Sequence, residues 1–257
     1  MKEHAASRTA EYMALFRALE SSRRPSKRLL VDSFAYYFLR PLLKVTVGLS
    51  RVPLIGATVP WLIDKTWSGA HSSGIARTRL IDDYLCASLH NGFDQIVILG
   101  AGFDYRAYWI AGIENSRVFE VDHPATLIKK REEVGHIFGA LPKHVVYADM
   151  DFNHQSLRQI LLEGGFNANK RSFFIWEGVT NYLIEQAVDN TLWYIVMETA
   201  PRNCIVFTYV HKGALDGSAM FEGTRHLWDT LQRSGEPWIF GLYPEHFPDY
   251  LAECGLI

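Results

Sequence analysis

Gln95-Ile96-Val97-Ile98-Leu99-Gly100-Ala101-Gly102-Phe103-Asp104 sets the reading of the whole chain. Gln95 and the four apolar residues after it, ended by a glycine, are too short for a helix and suit a strand buried on both faces. The Gly-x-Gly after them lets the backbone turn tightly and approach a ligand, and it opens a helix whose first N–H groups are unpartnered. A dinucleotide-binding turn would carry a third glycine, but that position is Tyr105. A side chain of that size crowds a pyrophosphate, whereas a nucleoside ligand without phosphates does not need the space.

The pattern repeats outward. Arg117 to Val121 reads as a second strand closed by Asp122-His123-Pro124. Val145 to Ala148 ends at Asp149, Ser172 to Trp176 ends at Glu177, and Cys204 to Val210 makes a fifth strand. Between them Leu157, Ile160 and Leu161 form a helical stripe that stops at Gly164-Gly165, and Val188, Leu192 and Ile195 form another. Continuous apolar strands alternating with helices predict an α/β fold, a doubly wound and mostly parallel sheet covered on both faces. Such sheets bind ligands at the carboxyl ends of their strands. Here four successive strands end in Gly100-Ala101-Gly102, Asp122, Asp149 and Glu177, so the polar residues collect at one edge.

Asp122 lies about twenty residues beyond Gly102, where a carboxylate accepts the hydroxyls of a ribose. It is preferred to Glu120, which is assigned to the opposite face of the strand. Asp122 also reads as a helix cap before Pro124. Asp149 suits an adenine amino group and Met150 a soft apolar surface for the ring. The alternative for Asp149 is a strand-to-helix turn capped by Asp151 or Asn153.

Upstream of residue 90 the reading is helical. Tyr12, Phe16 and Leu19 share one helix face and Pro25 marks its far end. An aromatic-rich helix is expected from Leu29 to Leu43, limited by Pro41, and another from about Ile75 to Leu89. One domain is expected, with residues 1–90 as a helical cap and lid and 91–257 as the α/β core. The cap's aromatics, with Trp61 and Trp67, are candidates to wall an acceptor pocket. The apolar stretch from Pro41 to Ile63 is broken by Lys44, Arg51 and prolines, so it reads as buried or interfacial helices without stable membrane insertion, with peripheral membrane contact as the alternative. The sequence ends where a further strand is expected, which predicts a sheet short of its last strands.

The 257 residues include 26 Lys and Arg against 28 Asp and Glu. That balance gives no general attraction to phosphate, so no nucleic-acid partner is expected. The cluster Arg23-Arg24 with Lys27-Arg28 reads as a solvated helix end, with a nucleic-acid or membrane contact as the lesser alternative. Cys86, Cys204 and Cys254 have no paired spacing and fit a reducing, cytoplasmic setting. No His, Cys or Asp cluster has metal-ligand spacing, so no metal is expected.

Several of these segments together resemble the leucine carboxyl methyltransferase family and its bacterial relatives, including polyketide carboxyl O-methyltransferases. The matching residues are Ala76-Arg77-Thr78, Leu99-Gly-Ala-Gly-Phe-Asp104 with Arg106, Phe119-Glu-Val-Asp-His-Pro124, Ala148-Asp149 and Phe174-Ile-Trp-Glu-Gly-Val-Thr-Asn-Tyr182. The resemblance implies a class I, Rossmann-like methyltransferase that uses S-adenosylmethionine and transfers a methyl group to an oxygen, with a small-molecule, polyketide or peptide carboxylate as acceptor. It implies that Arg77 grips the methionine carboxylate, with Arg79 as fallback. Gly100, with Ala101 and Gly102, would lie under the methionine portion, Asp122 on the ribose, Asp149 and Met150 on the adenine, and Glu177 near the amino group. Tyr182 would face the acceptor, and Arg106 would be a structural ion-pair partner. His211, His226 and His246 are acceptor-side candidates, although an ionised carboxylate acceptor needs no base. A nicotinamide oxidoreductase and a non-catalytic binding module are the alternatives from other classes.

Overall fold

The computed structural model describes residues 7–52, 56, 58–66, 69–221 and 237–256. Trp67 and His226 lie outside the described residues.

Five strands form one all-parallel sheet: β1 (Gln95–Leu99), β2 (Arg117–Asp122), β3 (Val145–Asp149), β4 (Ser172–Trp176) and β5 (Cys204–Phe207). Their order is β3-β2-β1-β4-β5, so the direction of winding switches between β1 and β4. Every residue of β1 and β4 is buried, which is why these segments are apolar without alternation. On one face Val97, Leu99, Phe119, Val121, Phe174 and Trp176 pack against α7 (Leu157–Glu163) and α8 (Glu185–Met197). On the other, Ile96, Ile98, Val118 and Ile175 meet Ile81 and Leu85 of α4 (Ala70–His90) and Ala107 of α5 (Arg106–Trp109). The helix α6 (Pro124–Phe138) starts with proline at its first position and ends at Gly139 in the left-handed region.

The cap consists of α1 (Arg8–Ser21), α2 (Pro41–Ser50) and α3 (Thr58–Thr66), with α4 running from it into the sheet layer. The Ser7 side chain accepts the Ala10 N–H at 3.2 Å and so caps α1. The inner face of α1, Ala14, Leu15, Ala18 and Leu19, clusters with Phe38, Val47 and Phe103. Phe38 stacks on Phe103 with centroids 4.8 Å apart, which fastens the cap to the glycine turn. Buried Arg17 pairs with Asp32 at 2.8 Å and donates to the Phe103 carbonyl.

Two expectations fail here. The segment from Leu29 to Leu43 is not one helix: a short 3₁₀ turn covers Ala35–Phe38, and Pro41 begins α2 instead of ending its predecessor. Proline lacks the N–H that a first-turn residue would leave unpartnered, so it favours a start. The fifth strand stops at Phe207, short of Val210. Among the described residues no sixth strand pairs beside β5; the chain returns in a single parallel bridge between His211 and Leu242.

Inside the sheet layer, Lys130 of α6 and Glu120 of β2 form an ion pair at 2.9 Å with both side chains fully buried. Lys130 also donates to the Ala101 carbonyl, and the Tyr108 hydroxyl donates to Glu120 at 2.8 Å. Removing one partner of such a pair leaves an uncompensated buried charge. Lys130→Met is expected to cost about 3–5 kcal/mol in urea unfolding, and adding Glu120→Gln to it to recover most of that loss. Equal stability of the Lys130→Met chain and the wild type would show the pair to be inert.

Candidate functional site

The glycine turn after β1 is shaped by two positive φ angles, +65° at Gly100 and +44° at Gly102. A Cβ at residue 100 would stand 2.1 Å from Val179 Cγ2, so both conformation and space demand glycine there. The Gly102 N–H donates to Asp122 Oδ2 at 2.5 Å, and the His123 N–H donates to Oδ1 at 2.6 Å. Asp122 therefore buttresses the turn, and each carboxylate oxygen keeps one lone pair for a ligand hydroxyl. Burial pushes its carboxyl up, against the pull of the Gly102 and His123 amides.

On the far side of the switch, Glu177 follows β4 and takes a guanidinium on each oxygen: Arg77 Nε on Oε1 at 2.8 Å and Arg106 Nη1 on Oε2 at 3.0 Å. Burial works to raise the Glu177 carboxyl, but Arg106 and Arg77 prevail and hold it at about 2. Arg106 is itself buried and ion-paired to Asp82 at 2.6 Å and to Asp104, with a further bond to the Thr78 carbonyl at 3.3 Å. The Tyr105 hydroxyl donates to the other oxygen of Asp82. The third-glycine position is thus filled by a buried ring in this network.

Arg77 is partly open, its side chain being 35% exposed. Arg79, the fallback, points elsewhere: it pairs with Asp83 at 3.0 Å and donates to the Leu29 carbonyl. The start of α1 roofs the site. Ala10 Cβ would lie 3.1 Å from a Cβ at residue 102, the Met13 sulfur is 3.8 Å from Arg77 Nη2, and the Tyr182 hydroxyl reaches Thr9 Oγ1 at 3.3 Å.

Other expected residues sit differently. Gly100 is covered by Val179, so a ligand directly over it requires that side chain to turn away. Asp149 is exposed and lies 3.4 Å from Arg131. Met150 offers no open surface: it is 1% exposed in the interior cluster, and its N–H donates to the Asp122 carbonyl. Glu120 does not occupy the face opposite Asp122, because residues two apart on a strand share a face; the buried pair with Lys130 is what removes it from ligand binding. His211 caps the short helix α9 (Lys212–Asp216), its Nδ1 accepting the Gly213 N–H at 3.0 Å. A neutral ring so bonded carries its proton on Nε2 and presents a donor. His246 is exposed on a 3₁₀ turn. Beside α9 a cavity of about 190 Å³ opens between Glu185, Lys212, Asp216 and Phe240. It lies next to the loop holding Tyr182, since the Ile239 N–H donates to the Asn181 carbonyl at 2.7 Å.

The sequence reading missed Asp82 and Asp104 as the partners that hold Arg106, and the start of α1 as the roof. Asp82 and Asp83 are adjacent acids in one helix, and which of them meets Arg106, like the approach of α1, is decided by tertiary packing alone.

A parallel sheet wound in this order, with carboxylates at the carboxyl ends of β2, β3 and β4 and a glycine turn unsuited to a pyrophosphate, defines the class I, Rossmann-like methyltransferase fold. The chain belongs to the leucine carboxyl methyltransferase family, which it matches over residues 10–196. A Bacillus subtilis protein named as an S-adenosyl-L-methionine-dependent methyltransferase is 31% identical over 184 residues, covering 71% of this chain and 60% of that one. A Mycobacterium tuberculosis protein of the same description is 34% identical over 181 residues, 68% of this chain and 56% of the relative. The chain thus spans about 60% of the length of these curated relatives. Among solved structures, a Thermobifida fusca methyltransferase superposes with a TM-score of 0.54 at 14% identity, over 93% of this chain and 79% of that one. Among the described residues no helix is long and apolar enough to cross a membrane.

Because Glu177 is deprotonated down to about 2 in the native state but takes a proton near 4.5 when unfolded, its ion pairs contribute stability fully above pH 4.5. That contribution is lost as pH falls from about 4.5 toward about 2. Denaturant unfolding of wild type and Glu177→Gln is expected to differ most at neutral pH and to converge across that window. A difference unchanged by acid would remove Glu177 as the titrating group.

Proposed function

We propose that this chain is an S-adenosylmethionine-dependent O-methyltransferase acting on a carboxylate. The observation that carries the reading is Arg77, partly open and held by Glu177 at the same sheet edge as the glycine turn and Asp122. The donor set fits the cofactor's chemistry. A planar guanidinium suits the methionine carboxylate, the remaining lone pairs of Asp122 suit the ribose hydroxyls, and exposed Asp149 suits the adenine amino group. Glu177, which spends one oxygen on each arginine, acts mainly to fix Arg77 and only secondarily faces the amino group. When bound, the sulfonium supplies an activated methyl group.

The chain's own residues then bind, orient and exclude water. The α1 roof over Gly102 and Arg77 keeps solvent from the turn, and Tyr182 with Thr9 closes the acceptor side. The acceptor reading rests on the family match, and an ionised carboxylate needs no base. The cavity beside Asn181 offers Lys212 as a cation, with the carboxylates of Glu185 and Asp216 on the same lining. Buried Tyr105 in the third-glycine position speaks against a nicotinamide cofactor.

Titration calorimetry with S-adenosylhomocysteine tests the cofactor site. Arg77→Ala and Asp122→Ala are each expected to weaken binding about tenfold or more, the loss of a charge-assisted bond, while Arg79→Ala leaves it unchanged. A parallel assay of methyl transfer to a panel of carboxylic acids should give base-labile methyl esters. Binding of NAD in place of S-adenosylhomocysteine would overturn the reading.

A further inference from the structure

The basic cluster that reads in sequence as a solvated helix end borders a surface that the proposed chemistry does not use. Residues 21–52 hold seven Lys and Arg against one acid, Asp32, although the whole chain is slightly acidic. Asp32 is buried against Arg17, Glu20 holds Arg23, and Glu11 holds Arg40. Among the described residues Arg24, Lys27, Arg28, Lys44 and Arg51 form no ion pair with a carboxylate.

Next to these cations α2 is apolar on both sides. Val47 is buried and Leu43 packs against the α1 cluster. Leu42, Val45 and Leu49, spaced three and four apart along the other side, are exposed, Leu42 to 77%. A helix with apolar residues on two sides is stable when both sides are covered, and the described residues cover only one. The neighbouring helix α3 presents exposed Trp61. Cations stand directly on the exposed rings: Lys44 and Arg51 lie 5.4 and 5.8 Å from the Tyr36 centroid, and Lys65 lies 4.7 Å from that of Trp61. Arg51 also reaches Ser22 at the end of α1, which joins the α2 surface to the Arg23–Arg28 segment.

We propose that this face docks on an anionic phospholipid bilayer, with the outer side of α2 and Trp61 lying in the headgroup region and the basic rim on the lipid charges. Aliphatic and tryptophan side chains interleaved with unpaired cations are the chemistry of an interfacial helix. Leucine and valine at the centre do not suit a nucleic-acid backbone. A twofold pairing with a second copy would set the two basic rims against each other. Among the described residues no helix is long and apolar enough to cross a bilayer, and the proposed contact is a peripheral one. The inference is independent of the methyl-transfer reading.

The test is co-sedimentation of the full chain with phosphatidylcholine vesicles and with vesicles containing phosphatidylglycerol. About tenfold stronger binding is expected to the anionic vesicles, with most of it released as sodium chloride rises from about 0.05 to about 0.5 M. The pairs Leu42→Glu with Leu49→Glu, and Arg24→Glu with Lys27→Glu, are each expected to cut the bound fraction about fivefold with circular dichroism unchanged. If a variant fails to fold, vesicle composition and salt on the unaltered chain decide alone. Equal binding to both vesicles, binding to neither, or full binding by both folded variants overturns the proposal. So does a concentration-dependent dimer that Leu42→Glu abolishes, which would assign the face to a second copy.

Discussion

A guanidinium with no access to water has to be surrounded by acceptors, and Arg106 is such a group. Its bonds to Asp82, Asp104, Glu177 and the Thr78 carbonyl join α4, the glycine turn and the end of β4 at one point. Desolvation is costly for each charge, so the cluster is stable only when all its members are in place. That requirement ties α4 and the turn after β1 to the end of β4. Arg77 is positioned through Glu177, and Tyr105 through Asp82. At this edge two guanidinium groups, Arg77 and Arg106, are held among three carboxylates, Asp82, Asp104 and Glu177.

The second buried pair, Glu120 with Lys130, works in the same way from the other side of the turn. Lys130 reaches the Ala101 carbonyl while Asp122 takes the Gly102 N–H. The glycine backbone is thereby held by a donor and an acceptor from β2 and α6. The cap adds a third restraint through Arg17 on the Phe103 carbonyl and Phe38 on the Phe103 ring. The turn combines backbone freedom with enforced rigidity, as a preorganised ligand cradle requires.

Much of the sheet was legible because a parallel strand buried on both faces leaves an unbroken apolar run. The bounds of β1 and β4 correspond directly to the runs Gln95–Leu99 and Ser172–Trp176. The edge strand β5 was overextended because its partly exposed residues do not differ in pattern from Thr208 to Val210 beyond it. Pro41 was misread because proline limits a helix before it and starts a helix after it, and local sequence does not choose between the two. Met150 went wrong for a different reason: its position after β3 was right, but side-chain direction at a strand end depends on the packing beneath it.

The sequence by itself determined the strands, the carboxylates at their ends and the need for glycine at residues 100 and 102, because these depend on chain-local periodicity and on backbone geometry that other residues disfavour. Only the tertiary structure decided which arginine faces the sheet edge. Arg77 and Arg79 lie in one helix two residues apart, and nothing local separates them; Glu177, one hundred residues away from Arg77, captures that residue, while Asp83 and the Leu29 carbonyl hold Arg79 at the surface. It also decided that α1 roofs the turn and that one side of α2 is left uncovered. Such outcomes depend on contacts between segments distant in sequence, where burial and pairing, not propensity, set the free energy.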